Sequence, residues 1–380
     1  MYILEEAAPS LVITKSTLDV NKVGDAEECL GRSSYPAYSC ITVEELHRKA
    51  LKEATEVLTD DQIPQNSDNV SHIFFTSGTT GRPKGEIGAG CLCTHSALTA
   101  YCAAKNEVHG VTEKSVCLVA SPATFDPSFG DFMATWCAGG TVALAPRHAM
   151  FVFLGRCLSY SRATHLLTTP SLLSTLDGTF GPADLPHLKV IALGGETMSQ
   201  ATVNAWADAV TLINTYGVTE CCVYQMATVV AKGDDRRKML GAPFRGTSIC
   251  VMKGSNDEDL LTGNAADMKE IDASSGESGE LWIAGVQVGL GYLNRTELTR
   301  ARFVNHSSHG RCFRTGDIVR STYGEWKLLG RFDGQVKIRG QRVELGEIEE
   351  TIISIATSAL LDSVVAVLHK SGLLVAFCVA

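Results

Sequence analysis

At 380 residues with 45% apolar side chains, the chain can bury a large core and divide into two or three domains. A net charge of −9 without long runs of like charge argues against non-specific nucleic-acid binding. No run of ~18 apolar residues suggests a membrane-spanning helix, and the opening MYILEEAAPSLVIT lacks the basic segment and apolar block of a secretory signal.

In chain order, SLVIT (10–14) reads as a buried strand. TVEELHRKALKEATEVL (42–58) has helical periodicity, with Thr42 placed to cap and Glu45 three residues on. HIFFTS (72–77) is a strand entering the stretch TSGTTGRPKG (76–85). SVCLVASP (115–122) and TVALAP (141–146) are strands flanking a helix at 127–138. HLLTTP (165–170), LKVIALGG (188–195) and TLINTYG (211–217) are further short apolar runs, separated by helical segments. Continuous apolar strands alternating with helices predict an α/β fold with buried, largely parallel sheets. After about 240 the pattern changes to alternating, Gly-punctuated strands without helices, which predicts an antiparallel, barrel-like section over 240–330. The segment 255–279 is polar and reads as a surface loop, 344–356 as an amphipathic helix, and VVAVLH and LLVAFCVA as closing strands. The 13 cysteines are scattered. Neither Cys91/Cys93 nor Cys221/Cys222 has zinc-finger spacing, so they read as reduced, mostly buried thiols of a cytoplasmic protein.

The glycine-rich stretch can converge backbone N–H groups, hydroxyls and the Lys84 ammonium on an anion, and a polyphosphate is its natural ligand. It is not a Walker loop, because Pro83 precedes the lysine and Gly85 follows it, and it holds no G-x-G-x-x-G. TSGTTGRPKG instead resembles the phosphate loop of the adenylate-forming superfamily: acyl-CoA synthetases, luciferases and nonribosomal peptide synthetase adenylation domains. Further segments follow in the family's order: FDPS (125–128), ALGGE (192–196), NTYGVTE (214–220), GELWIAGVQVGLGYL (279–293), FRTGD (313–317) and GRFDGQVKIRGQRVELGEIE (330–349). FDPS and the last block are most like the peptide synthetase branch.

The resemblance implies a reaction and its residues. An amino acid carboxylate would join the α-phosphate of ATP, expelling pyrophosphate, and the aminoacyl group would pass to a phosphopantetheine thiol on a carrier domain. A condensation domain is a further implied partner. Thr76, Ser77, Gly78, Thr79, Thr80, Gly81 and Lys84 would hold the leaving phosphates; Glu220 would bind Mg²⁺ and Thr219 the α-phosphate. Gly194, Gly195, Glu196, Asn214, Tyr216 and Gly217 would surround the adenine, Asp317 the ribose hydroxyls, and Arg331 would add a donor. Asp126 would pair the substrate's α-ammonium. Pro127, Gly130, Leu167, Ile191, Leu193, Thr215, Val223 and Tyr224 would shape the side-chain pocket. This set carries no charge, and Gly130 leaves room, which predicts an apolar side chain, aromatic ones included.

On the same resemblance, 1–332 is a large AMP-binding domain and 333–380 the start of a small α+β domain, with a hinge at Asp333. Three departures stand out: the small domain's catalytic lysine is not within the 380 residues, Met1 aligns inside the large domain, and His95 comes about five residues late, after EIGAGCLC. They lead to the expectation of a piece of a larger synthetase, with EIGAG as an insertion. Two alternatives stay open: an acyl or aryl acid–CoA ligase, which would have no use for Asp126, and an inactive nucleotide-binding remnant.

Overall fold

The computed structural model of the chain describes residues 11–14, 39–46, 48, 66–76, 89–176, 180–233, 236–253, 268–322, 324–331, 335–338, 341–355, 363–369 and 373–379. It divides into two units, Met1–Ser67 and Asp68–Ala380. In the first, β1 (Leu11–Thr14) pairs in parallel with β2 (Ser39–Thr42). Thr42 then opens a helical turn as its sequence predicts. Its Oγ1 accepts from Glu45 N at 3.1 Å, and Glu45 Oε2 accepts from Thr42 N at 3.0 Å, a reciprocal cap. Apart from residue 48, the remainder of the predicted 42–58 helix lies outside the described residues.

The second unit is α/β. It opens with β3 (Val70–Thr76) and β4 (Ala89–Thr94), an antiparallel pair. Ala89 and Gly90, the last two residues of the expected EIGAG insertion, lie in β4 and pair with Thr76 and Phe75. Thr94 ends β4 and caps α1 (His95–His109), its Oγ1 accepting from Ala97 N at 3.1 Å, while Gly110 closes the helix at φ 64°. Thr94→Ala should lower stability by about 1 kcal/mol, read as a shifted urea midpoint with an unchanged slope.

Next come β5 (Val116–Val119), α2 (Asp126–Cys137), β6 (Thr141–Ala143), α3 (Arg147–Ser161), β7 (His165–Thr168), α4 (Pro170–Leu173), β8 (Val190–Gly194), α5 (Gln200–Trp206), β9 (Thr211–Tyr216), β10 (Met226–Val229) and β11 (Ala242–Pro243). The strands form one seven-stranded sheet in the order β11-β10-β9-β8-β7-β5-β6. Its five strands from β5 to β9 run parallel, as expected, and β10 and β11 add antiparallel at one edge. Side chains alternate between its faces. Leu166, Ile191, Leu193 and Leu212 pack with Leu154 and Leu158 of α3 and Val203 and Trp206 of α5. Leu167, Ala192 and Ile213 face the other way, toward Ala97 and Tyr101 of α1 and Ala134 of α2.

The antiparallel section expected after 240 is a curled sheet. It comprises β12 (Thr247–Lys253), β13 (Lys269–Glu270), β14 (Ser278–Gly285), β16 (Phe303–His306), β17 (Gly310–Thr322) and β18 (Glu325–Arg331). Between β14 and β16, β15 (Gly291–Tyr292) pairs with β4, and α6 (Thr296–Arg302) follows it. Glu280, fully buried in β14, ties this sheet together: Arg314 Nε and Nη2 donate to its Oε2 at 3.2 and 3.0 Å, and Gly316 N donates to Oε1 at 3.2 Å. The chain continues through β19 (Gln335–Ile338), β20 (Gln341–Glu344), α7 (Leu345–Ile355), β21 (Ser363–Leu368) and β22 (Leu374–Val379). The expected domain boundary and its hinge residue Asp333 lie outside the described residues, as do 255–267 of the predicted surface loop. Among the described residues no helix is long and apolar enough to cross a membrane.

Candidate active site

The strand order reverses between β5 and β7: β5 connects outward to β6, and the chain then returns to the other side of β5. In open α/β sheets such a switch leaves a crevice at the carboxyl ends of the strands, where no connection crosses. A cavity of about 100 Å³ opens there. Its wall is made of Ser121 beyond β5, Leu167 and Thr168 at the end of β7, Gly194 at the end of β8 and Gly217 beyond β9.

Asp126 enters this cavity as the first residue of α2. It is 3% exposed, and its Oδ2 has no hydrogen-bond partner. Burial is the largest influence on its carboxyl, raising the pKa to about 8. The Thr219 hydroxyl and the Val223 N–H favour the ionised form, but they do not offset the lost hydration. A neutral acid at rest that ionises when a cation arrives is the chemistry of an ammonium receptor.

The surrounding wall is tied by hydrogen bonds and close packing. Tyr224 lines the cavity, and its hydroxyl meets His109 Nε2 at 3.0 Å. Burial, with Lys105 and His165 nearby, holds the His109 pKa well below the usual range, so the neutral ring accepts this bond. Cys222 and Val223 adopt left-handed backbone, at φ 65° and 71°, which costs most at β-branched Val223. Gln225 and Gln287 hold that turn: Gln225 Nε2 donates to Cys221 O at 2.8 Å, and Gln287 Nε2 to Tyr224 O at 3.2 Å. Gly217 sits against it so closely that a Cβ there would lie 2.1 Å from Tyr224 Cα.

A second cavity of about 420 Å³ adjoins the first, sharing Gly195, Thr215, Gly217 and Arg331 with it. Tyr216 and Asp317 line it and are joined by a short hydrogen bond from the Tyr216 hydroxyl to Asp317 Oδ2. Arg331 Nη1 donates to Asp317 Oδ1 at 3.1 Å. Glu196 and Asn214 also border this space; Glu196 Oε2 accepts from Ser171 N at 3.1 Å, and Asn214 Nδ2 donates to Met239 O at 2.9 Å. Arg237 and Lys238 add positive charge.

Of the expected pocket residues, Asp126, Pro127, Leu167, Thr215, Val223 and Tyr224 meet around the smaller cavity. Ile191 and Leu193 do not. Both are fully buried on the opposite face of the sheet, and β8 contributes Gly194 instead. Gly130 also leaves no free room: its missing side chain is replaced by Tyr101, whose hydroxyl would lie 2.9 Å from a Cβ there. Glu220 is fully buried, and its Oε1 accepts from the Tyr292 hydroxyl at 2.8 Å. Thr76 ends β3, its hydroxyl donating to Ala89 O at 3.3 Å, while Ser77, Gly78, Thr79, Thr80, Gly81 and Lys84 lie outside the described residues. Tyr292, Gln225, Gln287, Arg237 and Lys238 were not singled out from the sequence. Only Tyr292 carried a signal, as the aromatic that closes the Gly-rich strand pattern VGLGYL.

The chain is similar to several known proteins. The chain is 31% identical to the nonribosomal peptide synthetase GRA1 of Gibberella zeae over 92% of its length, but spans only 4% of that protein. It is 33% identical to the phosphinothricin tripeptide synthetase PhsC of Streptomyces viridochromogenes, covering 80% of this chain and 27% of that one. Among solved structures, the Vibrio cholerae adenylation domain AlmE, crystallised with glycyl-adenosine-5'-phosphate, superimposes with a TM-score of 0.72 at 25% identity, over 97% of this chain and 66% of that one. The family profile described as AMP-binding enzyme matches residues 1–293. With that match covering residues 1–293, the chain belongs to the AMP-binding, adenylate-forming enzymes, in the company of peptide synthetase adenylation domains.

Proposed function

We propose that the chain activates a small amino acid as its aminoacyl-AMP, with release of pyrophosphate, for transfer to a phosphopantetheine thiol on a carrier domain. The observation that carries this reading is the buried Asp126 carboxyl with an oxygen free of hydrogen bonds in the crevice wall. An α-ammonium satisfies it, and a simple acyl or aryl acid leaves it unpaired. In this reading the adenosine occupies the larger cavity beside Tyr216, with Asp317 and Arg331 toward the ribose. The substrate carboxylate then points to the junction at Gly195 and Gly217, where its oxygen attacks the α-phosphorus and the phosphorus–oxygen bond to pyrophosphate breaks. Thr219 adjoins that junction.

Glu220 offers the hard carboxylate oxygen that Mg²⁺ takes, and the remaining ligands would be phosphate oxygens and water, so the donor chemistry fits that ion. When bound, magnesium supplies charge neutralisation to the departing pyrophosphate. The glycine-rich segment with Lys84 grips that group, and a condensation domain and carrier domain are the partners. The setting is the cytoplasm.

Cavity size narrows the substrate. About 100 Å³ is less than the ~150 Å³ that admits a benzene ring. A side chain as small as that of glycine or alanine suits the space between Leu167, Val223 and Tyr224 better than that of phenylalanine. In an ATP–pyrophosphate exchange assay over an amino acid panel, glycine or alanine should exceed phenylalanine by at least about tenfold, the cost of forcing extra carbons into packed walls. Exchange with simple carboxylic acids but no amino acid would sink the assignment and favour an acid–CoA ligase.

A further inference from the structure

We propose that His72, Cys93 and Cys222 form a binding site for one Zn²⁺ ion, separate from the magnesium position and joining the strand that enters the glycine-rich loop to the turn after Glu220. The three candidate ligand atoms all lie within 4.8 Å of one another. A tetrahedral site with Zn–S bonds of about 2.3 Å places its sulfurs roughly 3.7 Å apart, so little contraction is needed to close around the ion. Two thiolates and an imidazole are a soft donor set suited to zinc, and three protein ligands leave a fourth position for water.

Each ligand is aimed by its backbone. The β3–β4 ladder slips between Val70 and His72, a bulge that brings His72 opposite Cys93. Cys222 reaches the same point through its left-handed conformation, in the turn that Gln225 and Gln287 hold. The second layer also fits. Ser71 Oγ donates to Cys93 O at 3.1 Å and lies 2.8 Å from His72 Nδ1. With its own proton used, the serine accepts from Nδ1–H, which leaves Nε2 as the ligand nitrogen. His72 is only half-buried, so the cluster has an approach for an ion from solvent. Cys91 and Cys221 are buried close by but lie outside the triad, which makes them internal controls.

The test uses the full chain, reduced and stripped with chelator, then titrated with Co²⁺ as a spectroscopic probe. One equivalent should bind with a thiolate-to-cobalt charge-transfer band, and Zn²⁺ should displace it. Cys93→Ser and Cys222→Ser should each weaken binding at least about tenfold, whereas Cys91→Ser and Cys221→Ser keep both band and affinity. Because the buried serine variants can misfold, His72→Ala at the half-buried position is the parallel case: it should weaken binding similarly with circular dichroism unchanged. Absence of a cobalt band in the reduced wild type overturns the proposal. So does a band that survives in folded His72→Ala at full affinity, or one lost equally in folded Cys91→Ser.

Discussion

Asp126→Ala should lower amino-acid-dependent ATP–pyrophosphate exchange by roughly 10²- to 10⁴-fold, because removing one partner of a buried ion pair costs about 3–5 kcal/mol. The loss should appear for every amino acid, since on the proposed reading the carboxylate pairs with the ammonium that all of them share. ATP binding should change little, because Asp126 borders the smaller cavity and not the larger one. The same residue predicts a pH effect on the ligand-free fold. With its pKa at about 8, folded Asp126 keeps a proton that the unfolded chain releases above the ordinary carboxylate range near ~4. Unfolding therefore releases a proton between those values. The contribution of Asp126 to stability falls as pH rises from about 4 to about 8 and is level above that. Asp126→Asn, which cannot ionise, should remove that slope from a series of denaturation midpoints. Equal slopes in wild type and variant would mean that the carboxyl is hydrated in solution.

The second large effect is expected at Asp317. One of its oxygens takes the Tyr216 hydroxyl and the other takes Arg331 Nη1. Each carboxylate oxygen has a further lone pair, so both can still accept from ribose hydroxyls. On the proposed reading Asp317→Ala removes the ribose acceptor, and it removes the counter-charge of a guanidinium that is itself mostly buried. Stability should fall by about 3 kcal/mol, and the KM for ATP should rise by at least tenfold. Asp317→Asn keeps one acceptor for Tyr216 and should fall between wild type and Ala on both measures. An unchanged KM for ATP in a folded Asp317→Ala protein would remove Asp317 from the nucleotide site.

Some of this arrangement was legible in the sequence, and some of it could not have been. The order of the strands and the turns at their carboxyl ends follow from short apolar runs closing on Gly, Thr and Pro. Because the sheet is covered on both faces, those runs are largely apolar, and no strict alternation marks which residue faces the crevice. That is why VIAL at 190–193 does not reveal that Ala192 shares a face with Leu167 while Ile191 and Leu193 turn away. The space beside Gly130 is a similar case. A glycine shows that something approaches closely, but not that it is Tyr101 from the preceding helix. The His72, Cys93 and Cys222 cluster comes from three segments whose spacing matches no metal motif, and it forms only when a bulge and a left-handed turn bring them together.

The pairing of Asp126 with a substrate ammonium can be tested with a two-by-two binding cycle. Wild type and Asp126→Asn would each be titrated with a non-hydrolysable alanyl-adenylate analogue and with its counterpart lacking the amino group. In the wild type, losing the amine should weaken binding by about 100-fold or more, whereas in Asp126→Asn the two ligands should differ by only about threefold. If removing the amine weakened binding equally in both proteins, Asp126 would not be the ammonium receptor.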